Sequence, residues 1–206
     1  MKRGKFITLE GVDGAGKTTQ RIWIEQYLRD RGVPLIATRE PGGTPLGERL
    51  REMLLAPSDA SRPDPETETL LMFAARREHL AKVIVPALEA GTWVICDRFT
   101  DATFAYQCGG SGVSWDKVLQ LEQWVHEGLQ PDLTLFFDVE PEIGLARAQQ
   151  IKTPDRFEAE QLDFHRRVRG AYARRAAEQP HRIRRIDANV SASSIHKSLE
   201  VILSTL

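Results

Sequence analysis

The sequence predicts an α/β protein in which helices cover both faces of a five-stranded parallel sheet. Five short apolar runs have the character of buried strands, and stretches of helical period separate them. These runs are residues 6–9, 35–37, 93–96, 133–139 and 183–186. Strands that alternate with helices are joined by right-handed crossovers, which make the sheet parallel. A length of 206 residues suits one core, so we expect residues 1–206 to form a single domain.

The helices are predicted from apolar residues spaced three and four apart and from the glycines that follow them. The longest covers residues 66–90 and ends before Gly91. Another passes through residues 22–28 and ends before Gly32, and a helix that carries Arg51 follows the second strand. The rest are predicted at residues 115–125, 141–149, 158–178 and 191–203. Ligands of parallel sheets bind at the carboxyl ends of the strands, so functional residues are expected there.

Composition excludes several classes of protein. The net charge is −1, so we expect the protein to bind neither nucleic acid nor an anionic membrane surface. The N-terminus has no signal-peptide pattern, and no apolar run is as long as a membrane span. Two cysteines, Cys96 and Cys108, are too few for a disulfide framework or a four-thiolate zinc site. We therefore expect a cytoplasmic protein with reduced thiols.

A complete phosphate-binding pattern, G-x-x-x-x-G-K-[ST], follows the first predicted strand and opens a helix. Its glycines let backbone N–H groups surround a phosphate, and the helix N-terminus favours negative charge. Lys17 can reach the β- and γ-phosphates, and the hydroxyl of Thr18 can ligate Mg²⁺. The predicted ATP contacts in this P-loop are Gly11, Val12, Asp13, Gly14, Ala15, Gly16, Lys17, Thr18 and Thr19.

The P-loop is shared by GTPases, motors and kinases, and the sequence separates these alternatives. Guanine-specific GTPases carry an Asn-Lys-x-Asp element, whereas the single asparagine here, Asn189, precedes Val190. ATPases driven by DNA or RNA are usually larger and have a basic track, which this composition lacks. A small-molecule kinase is the favoured class.

The second and third predicted strands end in charged residues. Asp97 follows the third strand, where its carboxylate can hold the water shell of Mg²⁺ opposite Thr18. Arg98 comes next, and Arg39 ends the second strand before a turn rich in proline and glycine. Together with Arg51, these arginines are predicted to converge on phosphate groups.

These segments resemble the bacterial thymidylate kinase family along essentially the whole chain. The resemblance rests on Asp13 and on residues 38–44 (TREPGGT), 71–76 (LMFAAR), 97–99 (DRF), 103–107 (TFAYQ) and 131–135 (PDLTL), the last before Asp138. It implies a P-loop nucleoside-monophosphate kinase fold with a mobile lid, a homodimer, and Mg²⁺-dependent phosphorylation of dTMP to dTDP by ATP.

The resemblance also implies roles for individual residues. Asp13 would accept a hydrogen bond from the 3′-hydroxyl of dTMP, and Tyr106 would pack under the sugar and exclude a 2′-hydroxyl. Phe73 would stack on thymine, although its position on an amphipathic helix would by itself favour core packing. Arg76 would donate to thymine O4. The remaining acceptor contacts would be Thr103 and Gln107 at the base and Arg39, Arg51 and Arg98 at the phosphate.

The lid is expected at residues 147–156. Because positions 13–15 of the P-loop carry no cation, the resemblance implies that the lid supplies one, and the candidates are Lys152 and Arg156, with Arg156 preferred. Catalysis would use this cation together with Lys17 and Arg98, and Arg147 would lie against adenine. Cys108 and Ser111 depart from the family pattern in a predicted loop after Gln107.

Two other functions remain open from the residues. Another nucleoside-monophosphate or deoxynucleoside kinase would share the fold and differ in its base pocket. A P-loop protein that binds ATP without turnover would have no acceptor pocket.

Overall fold

A computed structural model describes residues 3–56, 63–150 and 155–206. In this part of the chain, five parallel strands form one sheet in the order β2-β3-β1-β4-β5. Their bounds are β1 Phe6–Glu10, β2 Leu35–Arg39, β3 Trp93–Asp97, β4 Leu133–Asp138 and β5 Ile183–Asp187. The five predicted strands are therefore confirmed to within two residues at each end, and so is their parallel arrangement.

Nine α-helices surround the sheet within the described residues, and they bear out the three-layer prediction. Their bounds are α1 Lys17–Arg29, α2 Pro45–Leu55, α3 Pro65–His79, α4 Val85–Glu89, α5 Thr100–Thr103, α6 Trp115–His126, α7 Pro141–Gln149, α8 Leu162–Glu178 and α9 Ala192–Leu203. None of them, over the residues described, has the length and hydropathy of a membrane span.

Three helical segments differ from the sequence prediction. The predicted helix at 66–90 is α3 and α4 joined by a π-helical turn, Leu80–Ile84, and the helix predicted from residue 158 begins at Leu162. A π-helical segment, Phe104–Gly110, continues α5 and contains Cys108. The prediction of a loop at Cys108 is therefore wrong.

Close packing explains why glycine occurs inside that π-helical segment. A Cβ added to Gly109 would lie 2.6 Å from the Cβ of Ala171, and one added to Gly110 would lie 2.4 Å from the ring of Phe164. Both neighbours belong to α8. The two glycines let α8 approach closely and do not form the turn that the sequence suggested.

The central strands β1 and β4 are buried along their whole length. Every residue of β1 and of β4 is buried, as expected for central parallel strands. Because β2, β3 and β1 are parallel neighbours, the loops that follow them lie side by side at the carboxyl edge of the sheet.

Candidate active site

One cavity of about 400 Å³ lies at the carboxyl ends of β1, β2 and β3. Its lining comes from the P-loop, the turn after β2, helices α2 and α3, the segment from β3 to Gln107, and Asp155, Phe157 and Glu158. Most of the predicted P-loop, acceptor and metal-site residues line it: Asp13, Gly14, Gly16, Lys17, Thr18, Thr19, Arg39, Arg51, Arg76, Asp97, Arg98, Thr103, Tyr106 and Gln107.

Two glycines of the P-loop adopt a left-handed backbone conformation that other residues rarely adopt. Gly14 has a φ of 73°, and a Cβ there would lie 1.8 Å from the carbonyl oxygen of Gly144 on α7. Gly16 has a φ of 84° and caps α1 from the left-handed region. Lys17 begins α1 and donates from Nζ to the carbonyl oxygens of Gly11 and Val12, at 3.0 Å each. These contacts hold its ammonium group across the loop.

Asp13 is the centre of a hydrogen-bonded group inside the cavity. Its Oδ1 accepts from Nη2 of Arg98 at 2.7 Å, and its Oδ2 accepts from the hydroxyl of Tyr106 at 3.0 Å. Burial opposes ionisation, but Arg98 and Lys17 outweigh it and hold the pKa of Asp13 well below its usual range. The ionised carboxylate of Asp13 therefore links the guanidinium group of Arg98 to the hydroxyl of Tyr106.

Arg98 is held in position from several sides. It has a φ of 66°, a left-handed conformation that a non-glycine residue adopts only under constraint. Its Nη1 donates to the carbonyl oxygen of Gly11 at 3.0 Å and to the hydroxyl of Tyr172 at 3.1 Å. That hydroxyl donates in turn to Glu10 at 2.9 Å, and Glu10 also accepts from the backbone N–H of Phe99 at 2.7 Å.

Glu10 and Tyr172 hold Arg98 in the site, but neither was predicted from the sequence. In the sequence, Glu10 is an ordinary strand residue and Tyr172 an ordinary helix residue. Burial, together with nearby Asp101, raises the pKa of Glu10 to about 8 although Arg98 opposes the shift. The position of Glu10, directly before the P-loop at the end of a buried strand, was the one signal available.

The cations of the cavity repel one another. Burial and the neighbouring Arg39 and Arg98 lower the pKa of Arg51, and burial together with Arg98 lowers that of Lys17. Arg51 donates to the carbonyl oxygen of Pro41 at 2.9 Å, and Arg39 pairs with Glu48 at 2.8 Å. A bound phosphate would relieve this repulsion, so the cluster is suited to anions.

Helix α3 contributes a buried arginine, Arg76, to the cavity wall, and its three side-chain nitrogens differ in their partners. Nε of Arg76 donates to Glu40 at 2.7 Å and Nη2 donates to Thr103 at 3.0 Å. Glu40 also pairs with His79 at 2.9 Å, and these two partners lower its pKa although burial acts in the opposite direction. Nη1 is buried without a hydrogen-bond partner among the described residues. It is a donor that a ligand carbonyl would satisfy.

Phe73 does not line the cavity, and the prediction that it stacks on the base is corrected here. Its side chain is 2% exposed and belongs to a buried cluster with Val94, Phe99 and Phe104. Met72, one residue earlier, does line the cavity. Met72 and Arg76 are four residues apart and share a helix face, whereas Phe73 is turned by about 100°. That spacing was the signal which the sequence analysis missed.

The lid candidates are placed differently from the prediction. Arg156 is buried, pairs with Glu68 and donates from Nε to the carbonyl oxygen of Leu54 at 3.1 Å, and it does not line the cavity. In this conformation Arg156 connects its segment to α2 and α3 and is not a cation of the cavity. The preference for Arg156 over Lys152 as the lid cation is therefore corrected. Lys152 lies outside the described residues. Arg147 is exposed and donates to the carbonyl oxygen of Ala188 at 3.1 Å.

The donors available for a divalent cation are few but suitable. Oδ1 of Asp97 is buried without a hydrogen-bond partner in the described part of the chain, and both Asp97 and Thr18 line the cavity. No group of three His, Cys, Asp or Glu side chains gathers within the described residues. Mg²⁺ needs only one or two protein oxygens besides water and phosphate, so this donor set fits it.

Comparison with known proteins gives a consistent family. The family model described as thymidylate kinase matches residues 9–199. The thymidylate kinase of Nitrosospira multiformis is 57% identical over 204 residues, which cover 99% of this chain and 98% of that protein. That of Cupriavidus metallidurans is 58% identical, with 99% and 100% covered. The crystal structure of thymidylate kinase from Ehrlichia chaffeensis matches with a TM-score of 0.79 at 35% identity, over 98% of this chain and 99% of that one.

Proposed function

This chain belongs to the thymidylate kinase family, and we infer that it performs the family's reaction in the cavity described above. The protein is an enzyme that phosphorylates dTMP to dTDP with ATP. The observation that supports this assignment to the cavity is the origin of its cationic lining. Lys17 comes from the P-loop, whereas Arg39, Arg51 and Arg76 come from β2, α2 and α3.

We propose that the reaction proceeds by direct transfer between two aligned phosphates. The P-loop N–H groups and Lys17 bind the β- and γ-phosphates of ATP, and Arg39, Arg51 and Arg98 bind the phosphate of dTMP. A phosphate monoester is anionic at neutral pH, so an oxygen of dTMP attacks the γ-phosphorus of ATP without a general base. The bond from that phosphorus to the β–γ bridging oxygen breaks, and ADP leaves. Alignment of the reactants and neutralisation of their charge supply the rate enhancement.

Mg²⁺ fits the proposed site, and Thr18 and Asp97 are the residues that would hold it. The bound ion would neutralise charge on the phosphate oxygens of ATP. The unpartnered Oδ1 of Asp97 supports this assignment. Lys17, itself held by the carbonyl oxygens of Gly11 and Val12, would keep the triphosphate aligned beside it.

The acceptor nucleoside is proposed to lie between the Asp13–Tyr106 pair and α3. Asp13 accepts a hydrogen bond from the 3′-hydroxyl, and the ring of Tyr106 fills the space that a 2′-hydroxyl would need. Met72 takes the place first assigned to Phe73 and packs on the face of the base, where its thioether contributes a favourable contact with an aromatic ring. Nη1 of Arg76 donates to a base carbonyl.

The lid is proposed with one change in the roles of its residues. We propose that residues 147–156 cover the phosphates and that Lys152 supplies the additional cation, while Arg156 anchors the end of the lid. The contact of Arg156 with Glu68 supports the second role. Arg147 is proposed to face the adenine from the end of α7, and its bond to Ala188 at the end of β5 supports that position.

We further propose a homodimer formed by α2, α3 and α6. Large apolar side chains are exposed on these adjacent helices, namely Leu46 and Met53 on α2, Leu70 on α3 and Trp124 on α6, of which Trp124 is 75% exposed. A second copy would bury this surface. We expect Trp124→Glu to convert a dimer to a monomer in light scattering, and a wild-type mass of one chain would contradict the proposal.

A single domain in the cytoplasm is the remaining part of the proposal. Cys96 and Cys108 are free thiols, which suits a reducing compartment. The continuity of the sheet through all five strands supports one domain.

A panel of acceptors tests the proposed function. The purified protein is mixed with ATP, Mg²⁺ and one nucleoside monophosphate, and ADP formation is coupled to NADH oxidation. We expect dTMP to give the highest kcat/KM, and Lys17→Ala to abolish turnover with an unchanged circular dichroism spectrum. A different preferred acceptor would point to another nucleoside-monophosphate kinase, and no turnover with any acceptor would point to an ATP-binding protein.

A further inference from the structure

Glu68 is a buried carboxylate that the mechanism above does not use. It lies in the first turns of α3 and is 2% exposed. A buried carboxylate is costly unless hydrogen bonds compensate it, and both oxygens of Glu68 have a partner. Oε1 accepts from Nε2 of Gln107 at 2.8 Å, and Oε2 pairs with Nη2 of Arg156.

The contact with Glu68 determines which end of the Gln107 amide faces the cavity. Gln107 lines the cavity, is 1% exposed, and offers one donor end and one acceptor end. A carboxylate accepts hydrogen bonds and cannot donate them, so the NH₂ end of Gln107 must point to Glu68. The amide oxygen is then the end left for a ligand.

Arg76 contributes a hydrogen-bond donor to the same cavity lining as the amide oxygen of Gln107. Nη1 of Arg76 is buried and has no partner among the described residues, while Nε and Nη2 are held by Glu40 and Thr103. Thr103 and Gln107 are four residues apart on one continuous helical segment, so they share a face of it. Arg76 therefore presents a donor beside the acceptor presented by Gln107.

We propose that Glu68 is a positioning residue that makes the acceptor site select bases with a ring N–H beside a carbonyl group. Thymine and uracil have this pattern at N3 and O4, and they match the oxygen of Gln107 and the Nη1 of Arg76. Cytosine has the reverse pattern, with an acceptor at N3 and an amine at C4. This inference rests on the proposed binding of dTMP in the cavity, and it assigns base discrimination to a residue that does not touch the base.

Replacement of Glu68 by glutamine tests the inference. The new amide can present its own NH₂ group to Gln107, which lets Gln107 turn its donor end towards the cavity. We expect Glu68→Gln to lower the ratio of kcat/KM for dTMP over dCMP at least tenfold, since buried polar mismatches dominate such discrimination. The ratio for dTMP over dUMP should stay within twofold, because uracil and thymine share the same edge.

Arg156→Gln is the matched control, because it removes the other partner of Glu68 and leaves the contact with Gln107. Its dTMP:dCMP ratio should equal that of the wild type, whatever its kcat. The paired exchange of Glu68→Gln with Gln107→Glu swaps donor and acceptor between the two positions. It should restore an acceptor-only group towards the base and return the ratio to within a few-fold of the wild-type value.

The outcomes separate this inference from the proposed function. A wild type that does not phosphorylate dTMP would refute the function itself. A wild type active on dTMP, combined with a folded Glu68→Gln variant of unchanged dTMP:dCMP ratio, would refute the inference alone. If Glu68→Gln does not fold, the paired exchange decides: a retained ratio supports the inference and a lost ratio overturns it. A wild type that uses dCMP as well as dTMP overturns it directly.

Discussion

Replacement of Met72 by alanine should weaken acceptor turnover and lower stability less than truncation of a fully buried residue. This partly buried side chain lines the cavity and also packs against the main core. Full burial of a methionine side chain contributes about 1.5–3 kcal/mol, and a sulfur–aromatic contact about 0.3–1.5 kcal/mol. Met72 is half-buried already, so a base laid on it should gain about 1–2 kcal/mol from the contact. This corresponds to a loss of roughly 5- to 30-fold in kcat/KM for dTMP.

Phe73→Ala is the matched control, since the two residues are neighbours on α3. Phe73 is packed in the buried cluster under β3, so its truncation should lower the free energy of unfolding by about 3–5 kcal/mol. Thermal unfolding and steady-state kinetics, measured below the melting temperature of both variants, separate the two effects. If Phe73→Ala weakened dTMP turnover more than Met72→Ala did, the assignment of the base platform to Met72 would be refuted.

Three further predictions follow from the contacts of the site. Tyr106→Ala should raise turnover of the ribonucleotide acceptor relative to dTMP, and an unchanged ratio of kcat/KM would remove Tyr106 from the sugar pocket. Asp13→Ala should cost dTMP roughly 10-fold or more relative to a 3′-deoxy acceptor, since a hydrogen bond to a charged group contributes about 1.5–3 kcal/mol; equal losses would indicate a disturbed P-loop. Glu10 has a folded-state pKa raised from 4.5 to about 8, so its contribution to stability falls as pH rises through that window. Glu10→Gln should therefore flatten the decline of the melting temperature between pH 5 and 8, and an unaltered pH profile would contradict the raised pKa.

The sheet and the P-loop could be predicted because local sequence determines them. The strands are short and the central ones are mostly apolar, and the P-loop pattern requires its glycines wherever it occurs. The helical segment that follows Phe99 was not predictable in the same way. Gly109 and Gly110 suggest a turn, and only the close approach of α8 explains them.

The acceptor side of the site depends on tertiary contacts that sequence spacing does not reveal. Phe73 has the residue type expected at a base platform, but the direction of α3 turns it into the core and exposes Met72 to the cavity. Arg156 has the charge expected of a lid cation, but Glu68, 88 positions away, holds it. Residue type indicated which chemistry was present, and packing decides which side chain lines the cavity.

Direct transfer of phosphate from ATP to dTMP is the central claim, and an isotope measurement tests it. The enzyme is incubated with Mg²⁺, dTMP and ATP labelled in the γ-phosphate, and the nucleotides are separated. The account predicts that the label appears in dTDP in step with ADP formation, and that Lys17→Ala abolishes the transfer. Label that appears only in inorganic phosphate, or ADP formation that does not depend on dTMP, would contradict it.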